Sequence, residues 1–300
     1  MRPSKLVPLV VTTAAVALVA AGCGGGGTDA AADGKIAVVA STNVWGSVVT
    51  AVGGTDVSVK SLIDDPSADP HSYSDKPEDA TLMTNADLVV YNGGGYDDFF
   101  TKLVDAAGAD AKRIVAFDLS GHAEGENEHV WYDLPTVRKV ADKVAAELGA
   151  VAPDKKATFT DNAKAFGDKL AALTTKAESI GAASPGAKVV ATEPVAKYLL
   201  DAAGLTDATP PAFSEAVEEE TDPPIVAVAD TTDLITNKQV VALLNNDQTE
   251  TAVTNQLVDA ANAAGVPIVD VSETLPPGVT DYVDWMTKEL DALSGALSGA

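Results

Sequence analysis

The chain has 300 residues, of which 46% are hydrophobic, so it is long and apolar enough for one large domain or two modest ones. Its 44 acidic residues outnumber its 20 lysines and arginines, and the formal net charge of −24 argues strongly against nucleic-acid binding, because phosphate recognition needs clustered basic side chains. Aromatic residues make up only 5%, which is fewer than a sugar-binding protein usually has for stacking.

Residues 1–22 have the pattern of a secretory signal peptide, with a basic start, an apolar run and small residues before Cys23. The run is too short and too rich in alanine for a good membrane span. The segment before this single cysteine resembles a bacterial lipoprotein cleavage box, although the box prefers leucine where this chain has Ala20. We expect a lipid on Cys23 to anchor the protein to the outer face of the cell membrane, with residues 23–34 as a flexible tether. An ordinary cleaved signal with an incidental cysteine is the alternative.

Strands and helices alternate from residue 36 to residue 117, a pattern typical of a parallel sheet with helices on its faces. We predict strands over 36–40, 57–63, 88–91 and 114–117, and helices over 44–52, 77–85 and 97–108. A proline- and aspartate-rich loop is predicted over 64–73.

A long helix near the middle of the chain is predicted to join two lobes. A shorter helix precedes it and is expected to be broken by Gly149 and Pro153. The long helix starts at Asp154, and its apolar residues recur at steps of three and four, which is one continuous helical face. These residues are Phe159, Ala163, Phe166, Leu170, Leu173, Ala177 and Ile180. About 27 helical residues span roughly 40 Å, the width of a small domain. The alternative is a long core helix within a single domain.

The alternation resumes after the long helix. We predict strands over 188–192, 239–244 and 266–271, and helices over 194–203, 250–264 and 280–293. A further helix is predicted to start at Asp222-Pro223-Pro224, with a strand over 225–229 as the alternative. The predicted fold class is therefore α/β, with two βα-type lobes whose mostly parallel sheets are joined by one long backbone helix. The predicted boundaries are 35–135 for the N-terminal lobe, 136–183 for the linking helices and 184–300 for the C-terminal lobe.

Four side chains that can bind a metal follow predicted strands or lie at the end of the first lobe. His71 lies after the second strand and His129 in an aromatic segment, while Glu193 and Glu273 follow strands of the second lobe. Ligands of open α/β sheets bind at the carboxyl ends of the strands. Two imidazoles and two carboxylates suit zinc, manganese or ferrous iron and disfavour copper(I). The third histidine of the chain, His122, lies in a short acidic loop.

Three segments carry a resemblance to a known family. They are Asp69-Pro70-His71-Ser72-Tyr73, Val90-Tyr91-Asn92-Gly93 and His129-Val130-Trp131-Tyr132-Asp133. In this order, and together with a lipoprotein signal, they resemble the zinc/manganese ABC-transporter solute-binding proteins (the ZnuA/TroA-like group). The resemblance spans residues 35–293, is specific in the two histidine segments, and is loose in the C-terminal half.

The resemblance implies a metal site with ligands from both lobes. It makes His71 and His129 the two histidine ligands and Glu193 the third ligand, at a position where the family has histidine or glutamate. Glu273 is the preferred fourth ligand, although the family more often has aspartate there, and Asp270 is the alternative. Many zinc-binding members have a long histidine-rich loop before the second ligand.

Three other features of the sequence are interpreted as surface loops or packing residues rather than as parts of the metal site. The short loop over 121–128 holds only His122 and is interpreted as solvated, with weak handover of metal as the alternative. The run Glu218-Glu219-Glu220 is interpreted as a solvated loop edge. The three tryptophans are interpreted as packing residues, with Trp131 as a candidate wall of the site.

The resemblance further implies a monomeric binding protein rather than an enzyme. Its expected role is to hold a divalent metal outside the cytoplasm with high affinity and to deliver it to an ABC permease, with zinc favoured over manganese or iron. Metal affinity should fall below about pH 6.5, because imidazoles bind metal only when deprotonated. The linking helix should keep domain motions small. A metallohydrolase, and an adhesin or other lipoprotein that binds a non-metal ligand, are the alternatives from other classes.

Overall fold

The computed structural model describes residues 34–65, 73–108, 110–219 and 221–299. The predicted signal peptide, Cys23, most of the tether and His71 lie outside the described residues. Within these ranges, no helix is both long enough and apolar enough to cross a membrane.

The first lobe is a four-stranded parallel sheet flanked by helices. Its strands are β1 Ile36–Thr42, β2 Val57–Ile63, β3 Leu88–Tyr91 and β4 Lys112–Val115, in the order β2-β1-β3-β4. Its helices are α1 Asn43–Gly53, α2 Pro77–Thr84, α3 Asp98–Ala107 and α4 Ala116–Ser120. The central strand β3 is fully buried, as its uninterrupted apolar sequence predicts for a sheet covered on both faces.

Two long helices follow and connect the lobes. They are α5 Leu134–Val151 and α6 Lys156–Ala183, separated by a 3-10 turn at Pro153–Lys155. All seven apolar residues of the predicted stripe on α6 are buried. Because α6 packs on α1 in the first lobe and on α7 (Lys197–Ala203) in the second, the prediction of a helix that joins two lobes is confirmed.

The second lobe repeats the topology of the first. Its strands are β5 Lys188–Ala191, β6 Thr206–Asp207, β7 Ala242–Asn246 and β8 Ile268–Val271, in the order β6-β5-β7-β8. Its helices after α7 are α8 Pro211–Glu218, α9 Ile225–Thr236, α10 Ala252–Ala264 and α11 Tyr282–Ser298. The first strand by sequence is flanked by the second and third in both sheets, although no sequence repeat is visible.

One hydrophobic core runs through both lobes, and smaller clusters fill the outer face of each sheet. Buried hydrogen bonds also cross between the lobes. The Tyr132 hydroxyl donates to the Ser272 carbonyl at 2.9 Å, and the Tyr282 hydroxyl donates to the Trp131 carbonyl at 2.6 Å. This continuous packing supports the expectation of small domain motions, because opening the lobes would expose apolar surface and unpaired polar groups.

Several predicted boundaries are wrong. Gly149 does not end α5, which continues to Val151, and the predicted strand over 114–117 gives way to α4 at Ala116. The predicted strand over 239–244 begins only at Ala242, because α9 ends in a turn with Lys238 at a φ of 52°. The short strand β6 and helix α8 were not predicted, since proline and polar residues interrupt the apolar pattern there.

Candidate metal centre

Two carboxylates predicted as ligands meet at the carboxyl edge of the second sheet. Glu193 follows β5 and Glu273 follows β8, and β7 lies between these strands and ends at Asn246. The Asn246 side-chain amide contacts Glu193 Oε2 and donates to Glu273 Oε1 at 2.8 Å. All three residues are buried, with 8%, 1% and 1% of their surface exposed for Glu193, Glu273 and Asn246. The parallel strand order therefore joins two carboxylates that are far apart in sequence.

Neighbouring polar groups hold these carboxylates in place. The Thr249 hydroxyl donates to Glu193 Oε2 at 2.6 Å. Gln248 Oε1 accepts from the backbone N–H groups of Glu273, at 2.5 Å, and Thr274, at 3.0 Å. The turn after β7 thus holds the Glu193 carboxylate through Thr249 and the backbone at Glu273 through Gln248. Hydrogen bonds of this kind orient metal ligands in other proteins.

The first lobe contributes Tyr96, whose hydroxyl donates to Glu273 Oε2 at 3.0 Å. Tyr96 follows a turn of three glycines that all have positive φ, a conformation that side chains other than glycine rarely adopt. The Asp97 carboxylate closes this turn by accepting from the N–H groups of Asn92 and Gly93, both at 2.7 Å. Burial raises the pKa of Asp97 to about 6, and these hydrogen bonds act in the opposite direction.

His129 is 1% exposed, and its ring orientation is set by Asn127. Its Nδ1 lies 3.2 Å from Asn127 Oδ1, and the Asn127 amide is oriented by donating to the Pro194 carbonyl at 3.0 Å. Because Oδ1 can only accept, Nδ1 carries the proton and Nε2 of the neutral ring carries the lone pair. The ring packs edge-on against Trp131, at 5.0 Å between ring centroids, and against Tyr96, at 6.1 Å. Trp131 thus lies directly beside His129, as expected of a residue that lines the candidate site.

Two further glutamates lie beside His129. One nitrogen of His129 and one carboxylate oxygen each from Glu128 and Glu218 lie within 4.8 Å of one another. In the described part of the chain, this is the one group of three or more His, Cys, Asp or Glu side chains that are close enough to hold a metal ion. Glu218 Oε1 is 3.7 Å from His129 Nε2, and the Glu218 side chain is only 20% exposed. The interpretation of Glu218 as a solvated loop edge is therefore wrong. The missed signal is a pair of prolines at 210 and 211, which is typical of a helix start, followed by Phe213 and Val217 at the helical spacing of four. The helix ends at Glu218.

The other candidates lie in different surroundings. Asp270 is exposed on β8, and its Oδ1 accepts from Asn245 Nδ2 at 3.1 Å, so the geometry favours Glu273 over it. His122 stacks on Tyr198 with ring centroids 4.5 Å apart and is 27% exposed, so it is partly packed rather than fully solvated. His71 lies outside the described residues.

The geometry thus links Glu193 to Glu273 through Asn246, and Glu273 to the surroundings of His129 through Tyr96. Buried carboxylates are costly unless they are hydrogen-bonded, paired or bound to a metal. A divalent cation would balance two such charges, and imidazole and carboxylate are ordinary ligands for zinc, manganese and iron. The predicted set of four ligands stays a prediction.

The chain matches a known protein family and two bacterial transport lipoproteins. A family model described as zinc-uptake complex component A, periplasmic (ZnuA), matches residues 38–296. A manganese ABC transporter substrate-binding lipoprotein, PsaA of Streptococcus anginosus, is 30% identical over 216 residues, which cover 67% of this chain and 69% of PsaA. An iron ABC transporter substrate-binding lipoprotein, MtsA of Streptococcus pyogenes serotype M1, is 29% identical over 202 residues, which cover 62% of this chain and 65% of MtsA.

Among solved structures, the periplasmic zinc-binding protein TroA of Treponema pallidum superposes with a TM-score of 0.74 at 21% identity. The superposition covers 88% of this chain and 99% of TroA. It confirms the predicted two-lobe α/β fold with one long linking helix.

Proposed function

Because the chain belongs to the ZnuA family of periplasmic zinc-uptake components, we propose that it captures a divalent metal ion outside the cytoplasm, with zinc favoured, and delivers it to an ABC permease. Family membership confirms the resemblance inferred from the three segments. It also confirms that the chain is a solute-binding transport component and not an enzyme, since the family consists of such components.

The observation that supports metal capture most directly is the burial of ligand-type side chains where the lobes meet. His129, Glu193 and Glu273 are each at most 8% exposed, and Tyr96 from the first lobe donates a hydrogen bond to Glu273 in the second. In the proposed site these three residues and His71 bind one ion. Two carboxylates neutralise a divalent cation, so the filled site carries little net charge and its burial is tolerable.

Capture then proceeds by exchange of water for protein ligands. The ion loses its water and takes an imidazole from the first lobe and carboxylates from the second, which fastens the lobes together. The hydrogen bonds made by Tyr132 and Tyr282 already hold the lobes in contact, so we propose a small adjustment on binding rather than a wide closure. Release to the permease is then the step that requires the lobes to loosen.

Zinc is the proposed cargo, and manganese or iron is the alternative within the same class. PsaA is named for manganese and MtsA for iron, whereas TroA is named for zinc. Two carboxylates favour harder ions, but zinc binds more tightly than manganese or ferrous iron at a given set of nitrogen and oxygen ligands.

The proposed location is the outer face of the cell membrane, with a lipid on Cys23 as the anchor. The names of PsaA and MtsA describe lipoproteins of ABC transporters, which supports both the anchor and the permease as partner. We propose that the protein acts as a monomer.

The test is a competitive titration of metal-free protein that starts after Cys23. We expect one zinc ion per chain, bound more tightly than manganese or ferrous iron. His71→Ala and His129→Ala should each weaken zinc binding at least about 100-fold, since each removes a direct ligand, whereas His122→Ala, the matched loss of an imidazole outside the proposed site, should change it little. A chain that binds none of these metals, or binds them equally well without His129, would refute the proposed function.

A further inference from the structure

We propose that Glu128, His129 and Glu218 form an outer capture site, which receives the ion from solvent before it reaches Glu193 and Glu273. This inference rests on the proposed function and extends it, because it adds a position for the ion and two residues that the predicted ligand set does not contain. His129 belongs to both positions.

The spacing of the outer group fits a shared cation. The tautomer set by Asn127 directs the lone pair of His129 to Nε2, and this atom lies 3.7 Å from Glu218 Oε1. Two ligands at about 2.1 Å from a tetrahedral zinc ion lie about 3.4 Å apart. The observed separation is too long for a hydrogen bond and close to the separation of two ligands of one ion. The Glu128 carboxylate completes the group within 4.8 Å.

The outer group draws on both lobes, and the structure positions each part. Glu128 precedes the 3-10 turn Val130–Tyr132 of the first lobe, and its carbonyl accepts from Asn92 Nδ2 at 2.8 Å. Glu218 ends α8 of the second lobe, which is anchored in the core by Phe213 and Val217, 0% and 8% exposed. An ion bound here would therefore bridge the lobes.

Exposure decreases from the outer group towards the inner one. Glu128 is partly exposed and the Glu218 side chain is 20% exposed, whereas His129 and Glu273 are each 1% exposed. Both outer glutamates are thus more exposed than His129 and Glu273, although the Glu218 Oε1 atom that faces His129 is itself buried. This is the order expected of a route by which an ion passes from water to a buried site.

Charge balance allows the ion to move between the two positions. The outer group has two carboxylates and one neutral imidazole, and the inner position offers the carboxylates of Glu193 and Glu273 with the same imidazole. A divalent cation is therefore neutralised at either position, so the transfer does not bury net charge. In the transfer, Glu128 and Glu218 leave the ion as Glu193 and Glu273 bind it, while His129 Nε2 stays bound.

The first experiment measures the rate of zinc binding by stopped-flow tryptophan fluorescence, with Trp131 as the reporter beside His129. Glu218→Gln should slow association on the order of tenfold, because it removes the charge that draws the ion to the outer site. Glu219→Gln is the matched control, since Glu219 is the exposed neighbour and the change in net charge is identical. Equal rates for the two variants would overturn the proposal.

The second experiment isolates the outer site at equilibrium. Glu193→Gln combined with Glu273→Gln disables the inner position, and zinc titration should then reveal one weaker site per chain. Adding Glu218→Gln should abolish this residual binding, and adding Glu219→Gln should leave it intact. Residual binding that survives Glu218→Gln, or its absence in the folded double variant, would overturn the inference. Circular dichroism confirms that each variant is folded.

These outcomes separate the inference from the proposed function. If the wild-type protein binds zinc through His129 but is indifferent to Glu218, only the outer site is refuted. If the wild-type protein binds no divalent metal, the proposed function itself fails.

Discussion

Glu289 is a buried carboxyl group, and we expect it to make the metal-free protein less stable as the pH rises. It lies on α11, is 8% exposed, and accepts a hydrogen bond from Trp285 Nε1 at 2.9 Å. Burial raises the pKa of Glu289 to about 8, with smaller contributions in the same direction from Asp247 and Asp270, while the hydrogen bond from Trp285 lowers it. The group is therefore protonated in the folded protein at neutral pH.

The folded and unfolded chains hold the proton of Glu289 over different pH ranges. Between the ordinary pKa of 4.5 and the folded value of about 8, the folded protein keeps a proton that the unfolded chain loses. The free energy of unfolding therefore falls as the pH rises through this window, at about 1.4 kcal/mol per pH unit where the difference is one full proton. Glu289 of the folded protein begins to ionise as the pH approaches 8, so the slope decreases there. The free energy of unfolding is therefore expected to fall by about 2 kcal/mol from pH 6 to pH 8.

Glu289→Gln tests this, because it keeps an oxygen that can accept from Trp285 and removes the titration. Urea unfolding of metal-free protein at pH 6, 7 and 8 should show the stability of the variant rising relative to wild type by about 2 kcal/mol across the series. Glu178→Gln, an exposed glutamate of α6, is the control and should run parallel to wild type. If the wild-type and Glu289→Gln stabilities also stay parallel from pH 6 to pH 8, the assignment of a buried, protonated Glu289 is refuted.

Two further substitutions test the packing and the candidate site. A Cβ added at Gly181 of α6 would lie 1.5 Å from the Ala203 carbonyl oxygen, so Gly181→Ala should lower the free energy of unfolding by about 3 kcal/mol. Gly295→Ala is the control, at a helical position with nothing within 4 Å of the added atom, and should raise the free energy of unfolding by about 0.5–1 kcal/mol. If the two variants change thermal stability by similar amounts, the close approach of α6 and α7 is contradicted. Tyr96→Phe keeps the ring but removes the hydroxyl that donates to Glu273, so calorimetry should show zinc affinity about tenfold lower, and an unchanged affinity would show that this hydrogen bond does not orient the ligand.

Several features of the fold could be predicted from the local spacing of residues alone. The stripe on α6 follows from apolar residues at steps of three and four, and all of its predicted members are buried. The bounds of β2 and β3 agree with their predicted ranges, because each is a short apolar or alternating run between turn residues. Three short segments, at 69–73, 90–93 and 129–133, together with the lipoprotein signal, also indicated the family, which the match over residues 38–296 confirms. These signals are local and need no knowledge of how the lobes pack.

The contacts between polar groups of the candidate site depend on strand order and on the packing of the two lobes. Asn246 contacts Glu193 and Glu273 across sequence separations of 53 and 27 residues, and only the order β5-β7-β8 brings these positions to one edge. The sequence pattern gave no reason to single out Asn246, and it suggested a solvated environment for Glu218. Glu218 lies beside His129 because α8 packs into the second lobe and the second lobe packs against the first. Contacts of this kind depend on strand order and lobe packing, which the local spacing of residues does not specify.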